Sequence, residues 1–169
     1  PVTLALPQDV QTMAFDFPEH FFKEKIHKQR RQLPDEVELA EAVELIKGAK
    51  KPLLIAGGGV HYSGALAELE SFVSEHKVPV GETQAGKGAF PWDHPQNMGS
   101  MGVTGAASTN ELAAECDLII AVGTRLGDFA SGSRTMINPE AKLVSINVAS
   151  FDTVKHYGKP LVGDAKLTL

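Results

Sequence analysis

Three consecutive glycines follow an apolar run in Pro52–Gly64, which reads PLLIAGGGVHYSG. Residues without a Cβ let a phosphate approach backbone N–H groups, and a helix opening just beyond favours an anion at its N-terminus. Gly57, Gly58 and Gly59 are therefore candidate phosphate-binding positions. The run is not GxGxxG, because Val60 and His61 follow and the next glycine is Gly64. A tight strand-to-helix turn would call for the same glycines. Arg125 in VGTRLGDF stands just past a second apolar run, where a guanidinium can pair with a phosphate. The alternatives for it are an ion pair with Asp128 or a contact at a domain interface. Asn147 ends the run LVSINV, where a nucleotide site places an acid on the ribose hydroxyls. An amide can hydrogen-bond a hydroxyl, but the charged acceptor is missing.

Other reactive side chains form no constellation. The six histidines show neither HxxxH nor HExxH spacing, so no metal site is expected, and GxSxG is absent. Cys116 is the only cysteine and excludes an internal disulfide and a zinc cluster. It precedes the apolar run LIIAVG and reads as a packed core thiol. Trp92 in GAFPWDHP reads as a loop anchor, with a ligand platform as the other option. No catalytic residue is assigned, and these residues support binding or scaffolding.

The elements that would position these residues alternate. In PDEVELAEAVELIKGAKKP, Asp35 caps a helix with Glu38 three residues on. Leu39, Ala42, Val43 and Ile46 form its apolar face, and Gly48 and Pro52 end it. LLIAG is a buried strand, and SGALAELESFVSEHK is a helix with Ala65, Leu66, Leu69, Phe72, Val73 and His76 on one side. VPVGET is a short strand before the loop QAGKGAFPWDHPQN, and TGAASTNELAAEC is a weak helix. LIIAVG, LVSINV and LVGD follow as strands, and Val2, Leu4 and Leu6 alternate like a strand at the start. Apolar strands separated by helices imply a parallel sheet covered on both faces. The expected fold is α/β, a Rossmann-like three-layer domain with a mostly parallel, roughly six-stranded sheet. In such a sheet, ligands sit where loops leave the carboxyl ends of strands. Those loops are Gly57–Gly59, Glu82–Gly88, Gly123–Gly127 and Asn147–Ser150.

A chain of 169 residues suffices for one domain with a substantial core. Its hydrophobic content of 43% and charged content of 22% are those of a soluble globular protein. A net charge of −5 argues against a nucleic-acid partner. No apolar run reaches the ~20 residues of a membrane span. One unpaired cysteine suits a reducing, cytoplasmic setting. The basic run Lys23–Arg31 reads as a solvated linker, and Phe15, Phe17, Phe21 and Phe22 are many aromatics for one. The chain begins on PVTLALPQDV and ends on LVGDAKLTL; both ends read as cut from a longer protein.

The order GGG turn, ETQAGKG loop, VGTR turn, SIN strand and VGDAK tail resembles the central domain of thiamine diphosphate-dependent enzymes. The resemblance covers essentially the whole chain. It implies that residues 1–10 end a pyrimidine-binding domain, 11–34 form a linker, 35–165 are the central domain, and 166–169 lead toward a C-terminal domain. AGGGVHYSGA, ETQAGKGAFPWDHP, MGVTGAAS, VGTRLGDFASGSR and INVASFDTVKHYG resemble the branch of hydrolases that open a cyclic 1,2-dione in myo-inositol catabolism. The resemblance implies a parent that uses thiamine diphosphate and Mg²⁺, bound by the flanking domains, and assembles as a homodimer or homotetramer. The family holds Mg²⁺ and diphosphate on a GDG motif, which this sequence lacks, so the fragment is expected to be inactive alone. Some central domains bind FAD or ADP. Where they do, the family often carries an IDxD, and here those positions read Ile146-Asn147-Val148-Ala149. The site at Gly57–Gly59, Arg125 and Asn147 is thus expected to be vestigial or structural. The alternative is a nucleotide-binding central domain of an acetohydroxyacid synthase or glyoxylate carboligase type, or a self-standing flavin module.

Overall fold

The computed structural model describes residues 2–169 and resolves two compact units, Pro1–Arg30 and Arg31–Leu169. The first unit holds a short helix α1 (Gln8–Gln11) and a 3₁₀ turn at Glu19–Phe22. Val2, Leu4 and Leu6 form no strand and are exposed. Alternation alone makes no strand without a partner ladder, and no segment among the described residues pairs with them. Pro1, which opens that segment, lies outside the described residues. Phe17 packs against Phe15, Phe21 and Phe22 with ring centroids 5.2, 5.1 and 6.0 Å away. All four rings stay more than half exposed.

The second unit begins at the salt bridge of Arg31 Nη1 to Asp164 Oδ2, 2.8 Å. Asp164 N–H also donates to Gln32 O at 2.8 Å. Helix α2 (Glu36–Gly48) opens as its sequence dictates, with the Asp35 carboxylate accepting from Val37 N at 2.9 Å and Glu38 N at 3.2 Å. Strand β1 (Pro52–Ala56) leads into α3 (Gly58–Ser63), which ends on left-handed Gly64, and then α4 (Leu66–His76). The helix expected over SGALAELESFVSEHK is α4, and left-handed Gly64 separates it from α3, a short helix that was not expected. Helix α4 turns Leu66 and His76 to solvent, while Ala65, Leu69 and Val73 are buried as expected.

Next come β2 (Val80–Glu82) and β3 (Asn97–Ser100), then α5 (Ala107–Glu115) and β4 (Leu118–Val122). The chain closes with α6 (Asp128–Ser131), β5 (Lys142–Asn147), α7 (Ser150–Val154), β6 (Lys159–Val162) and α8 (Ala165–Thr168). The six strands form one sheet in the order β3-β2-β1-β4-β5-β6, with every pairing parallel. Chain direction across the sheet reverses between β1 and β4, the position where such sheets open a ligand crevice.

Period-two alternation splits the core. Leu54, Ala56, Ile120 and Val122 face α2, α4 and α8 through Ala42, Leu69, Val73 and Ala165. Leu53, Ile55, Ile119 and Ala121 face the other way, onto Ala113, Cys116, Leu126 and Ile137. Full burial on both sides explains why β1 and β4 carry no polar residue. Among the described residues, no helix is long and apolar enough to cross a membrane.

Candidate functional site at the carboxyl edge

The turn after β1 and the turn after β4 meet backbone to backbone. Gly57 N–H donates to Val122 O at 2.8 Å, and Gly59 N–H donates to Gly123 O at 2.9 Å. A Cβ on Gly59 would lie 2.5 Å from Gly123 Cα, and one on Gly123 would lie 2.6 Å from Gly59 Cα. A Cβ on Gly57 would strike Gly123 O and Thr124. Gly123 has φ +62°, which a glycine adopts without penalty. Two of the N–H groups that could cradle a phosphate therefore already have acceptors within the protein.

A third layer covers this joint. Thr83 N–H donates to Ala56 O at 2.9 Å, and the Thr83 hydroxyl accepts from Gly86 N at 3.1 Å. A Cβ on Gly86 would sit 2.9 Å from Gly57 Cα. The loop is tied down by Glu82, whose side chain is 1% exposed. Its Oε1 accepts from Phe90 N at 3.0 Å, and its Oε2 lies 3.4 Å from Lys87 Nζ. His61 Nε2 reaches Lys87 O at 3.2 Å. Sequence reasoning named the loop Glu82–Gly88 but gave this carboxylate no role. Its signal was a charged residue at the end of an apolar strand.

Arg125 is exposed and forms no ion pair among the described residues, so the alternative of an ion pair with Asp128 is not realised. Arg125 and Asn147 do not converge on one point through hydrogen bonds. Asn147 Nδ2 instead donates to Thr124 O at 3.4 Å, and its Oδ1 accepts from Ala149 N at 3.1 Å. The amide thereby joins the turns after β4 and β5, and the oxygen that would meet a ribose hydroxyl already accepts a bond. At this edge the N–H groups of Gly57 and Gly59 and the amide oxygen of Asn147 are engaged by the chain itself.

Trp92 is 84% exposed and anchors nothing. The anchor of that loop is Phe90, 2% exposed and edge-on to His94 with centroids 4.7 Å apart. Cys116 is a packed thiol, as expected, donating to Ala113 O at 3.3 Å. Burial, and secondarily the Asp117 carboxylate, push its pKa up to about 11. The Asp117 carboxyl is itself held below its ordinary range by N–H donors of Lys50 at 2.7 Å and Lys51 at 2.9 Å. No group of three or more His, Cys, Asp or Glu able to hold a metal ion exists among the described residues.

Comparisons with known proteins agree on one relationship. The profile of the family described as "Thiamine pyrophosphate enzyme, central domain" matches residues 39–169. The chain is 46% identical over 169 residues to 3D-(3,5/4)-trihydroxycyclohexane-1,2-dione hydrolase 1 of Bacillus cereus (strain ZK / E33L), covering 99% of this chain and 26% of that protein. The hydrolase of the same name from Bacillus thuringiensis (strain Al Hakam) gives the same identity and coverage. The chain thus spans about a quarter of the length of the curated relatives it matches. Among solved structures, a "putative thiamin diphosphate-dependent enzyme" from Mycobacterium smegmatis superposes with a TM-score of 0.71 at 26% identity. That match covers 85% of this chain and 28% of the other. Benzoylformate decarboxylase from Polynucleobacter necessarius superposes equally, with a TM-score of 0.71 at 26% identity, over 91% and 29% of the two chains.

Proposed function

The chain belongs to the family of thiamine pyrophosphate enzyme central domains, and from that premise we propose that its parent is a thiamine diphosphate- and Mg²⁺-dependent hydrolase of a cyclic 1,2-dione in myo-inositol catabolism. The observation that carries this reading is the 46% identity, sustained over 99% of the chain, to hydrolases of that name. The structural neighbours share the fold at only 26% identity, and one of them is a decarboxylase. The substrate reading therefore leans on the sequence relatives and not on the fold.

Among the described residues no group of three or more His, Cys, Asp or Glu could hold a metal ion, and the sequence has no GDG. On this reading the flanking domains hold Mg²⁺ and the diphosphate. When bound, thiamine diphosphate supplies the electron sink for carbon–carbon cleavage. Overall, water adds across the broken bond, its hydroxyl to the carbonyl carbon and its hydrogen to the neighbour. The central domain contributes a rigid joint between its neighbours, with the nucleotide turn of related sheets used as a close-packed contact. The parent is cytoplasmic and works as a homodimer or homotetramer.

The test is an activity comparison on the full-length parent, cyclic dione against 2-oxo acids. Turnover of the dione with loss of the six-membered ring is expected; exclusive turnover of 2-oxo acids overturns the substrate reading. For this chain alone, calorimetry is expected to show no thiamine diphosphate binding, and a micromolar Kd would overturn the division of labour. Denaturing the purified chain is expected to release no flavin or adenine nucleotide. Stoichiometric release would overturn the close-packed role of the glycine turn.

A further inference from the structure

Away from the carboxyl edge, a groove of about 490 Å³ lies at the start of β5 and β6. Four of its lining side chains, Arg134, Lys142, His156 and Lys159, are basic, and none is acidic. In a chain of net charge −5 this is a local reversal of sign. Lys159 is neutralised by an ion pair with Glu41. Lys142 forms no ion pair among the described residues. Arg134 Nη1 donates to His156 O at 3.3 Å, and its other N–H groups have no acceptor among the described residues. Leu45, Leu143, Pro139 and Pro160 supply apolar walls, and Tyr157 stands fully exposed at the groove.

The backbone that presents these groups is unusual. Ser133 and Arg134 have φ of 51° and 70°, and His156 and Tyr157 have 65° and 58°. Left-handed non-glycine residues are strained, and such residues cluster at ligand sites. Here both pairs place groove-lining side chains. His156 is pinned through Nε2 to Leu126 O at 3.2 Å. Burial lowers its pKa; the Arg134 and Lys155 charges act in the same direction, and the Leu126 contact and Asp128 oppose them.

We infer that this groove binds a phosphomonoester with a small aromatic or apolar body, the phosphate meeting Arg134 and Lys142 and the body lying between Leu143 and Tyr157. A guanidinium and an ammonium beside one opening suit a dianion, and the guanidinium supplies paired donors. The proposal is independent of the parent's reaction.

Phenyl phosphate is the probe, titrated into this chain while the His156 and Tyr157 ring resonances are followed by NMR. Saturable shifts at both rings are expected, with His156 titrating at higher pH as the dianion binds. Arg134→Gln and Lys142→Gln should each weaken binding by about tenfold or more. Lys77→Gln, on the exposed lead into β2 three strands away from β5, should leave it unchanged. Lys142 is exposed, so if Arg134→Gln fails to fold, Lys142→Gln decides. Absence of saturation at about 10 mM probe, a level corresponding to negligible affinity, would overturn the proposal. So would equal shifts with phenol, or equal weakening by Lys77→Gln.

Discussion

Gly59 and Gly123 touch through their main chains: the N–H of one donates to the carbonyl of the other at 2.9 Å, and neither position has room for a Cβ. The turns leaving β1 and β4 are therefore a single joint across the point where the order of strands reverses.

Gly123→Ala should be severely destabilising. It forces an L-residue to φ +62° and drives a methyl group into Gly59. Strain of ~1–3 kcal/mol and overpacking of ~1–3 kcal/mol together suggest a loss of roughly 2–6 kcal/mol. Gly48→Ala is the contrast, since its Cβ would meet nothing within 4 Å at the end of α2. That change should be neutral or stabilising by up to ~1 kcal/mol. Urea midpoints measure both, and equal midpoints for the two variants would refute the interlocked joint.

Glu82→Ala should loosen the loop over the joint. It strands the N–H of Phe90, a residue that is 2% exposed. An unsatisfied buried donor costs ~1–3 kcal/mol. Glu82→Gln keeps an acceptor for Phe90 N and gives up only the contact with Lys87, so it should cost less. Amide hydrogen exchange at Phe90 distinguishes them: fast in the alanine variant, slowed in the glutamine variant.

Cys116 should resist alkylation while the chain is folded. Its pKa of about 11 and its 2% exposure leave little thiolate and no access at neutral pH. The folded pKa is raised above the ordinary 9.0, so its stabilising contribution is fully present below about pH 9 and lost as pH rises through about 11. Iodoacetamide labelling at pH 8 across a urea series should follow unfolding; labelling that precedes it would contradict the buried thiol.

Much of the fold was legible because its cause is local. Asp35 caps α2 through its own two hydrogen bonds, and the apolar runs at Leu53–Ala56 and Leu118–Val122 can only be strands buried on both faces. Strand β3 was not legible: NMGS is half-buried throughout and contains left-handed Gly99, so its pairing to β2 comes from tertiary placement. Helix α3 was not legible either: its six residues, GGVHYS, include two glycines and carry too little helical periodicity to read. At the site, the glycines and Asn147 were visible by type, but their engagement with Val122, Gly123 and Ala149 was not. Trp92 and Phe90 stand two residues apart with opposite burial, which composition does not reveal.

A joint made only of peptide groups has a consequence for how this edge can change over time. The spacing between β1 and β4 at their carboxyl ends is set by the radii of main-chain atoms. Substitutions at Arg125, Trp92 or Phe129, whose side chains project outward, can re-dress the edge for new neighbours while the distance across it stays fixed. The chemistry there is free to drift, and the gauge is not.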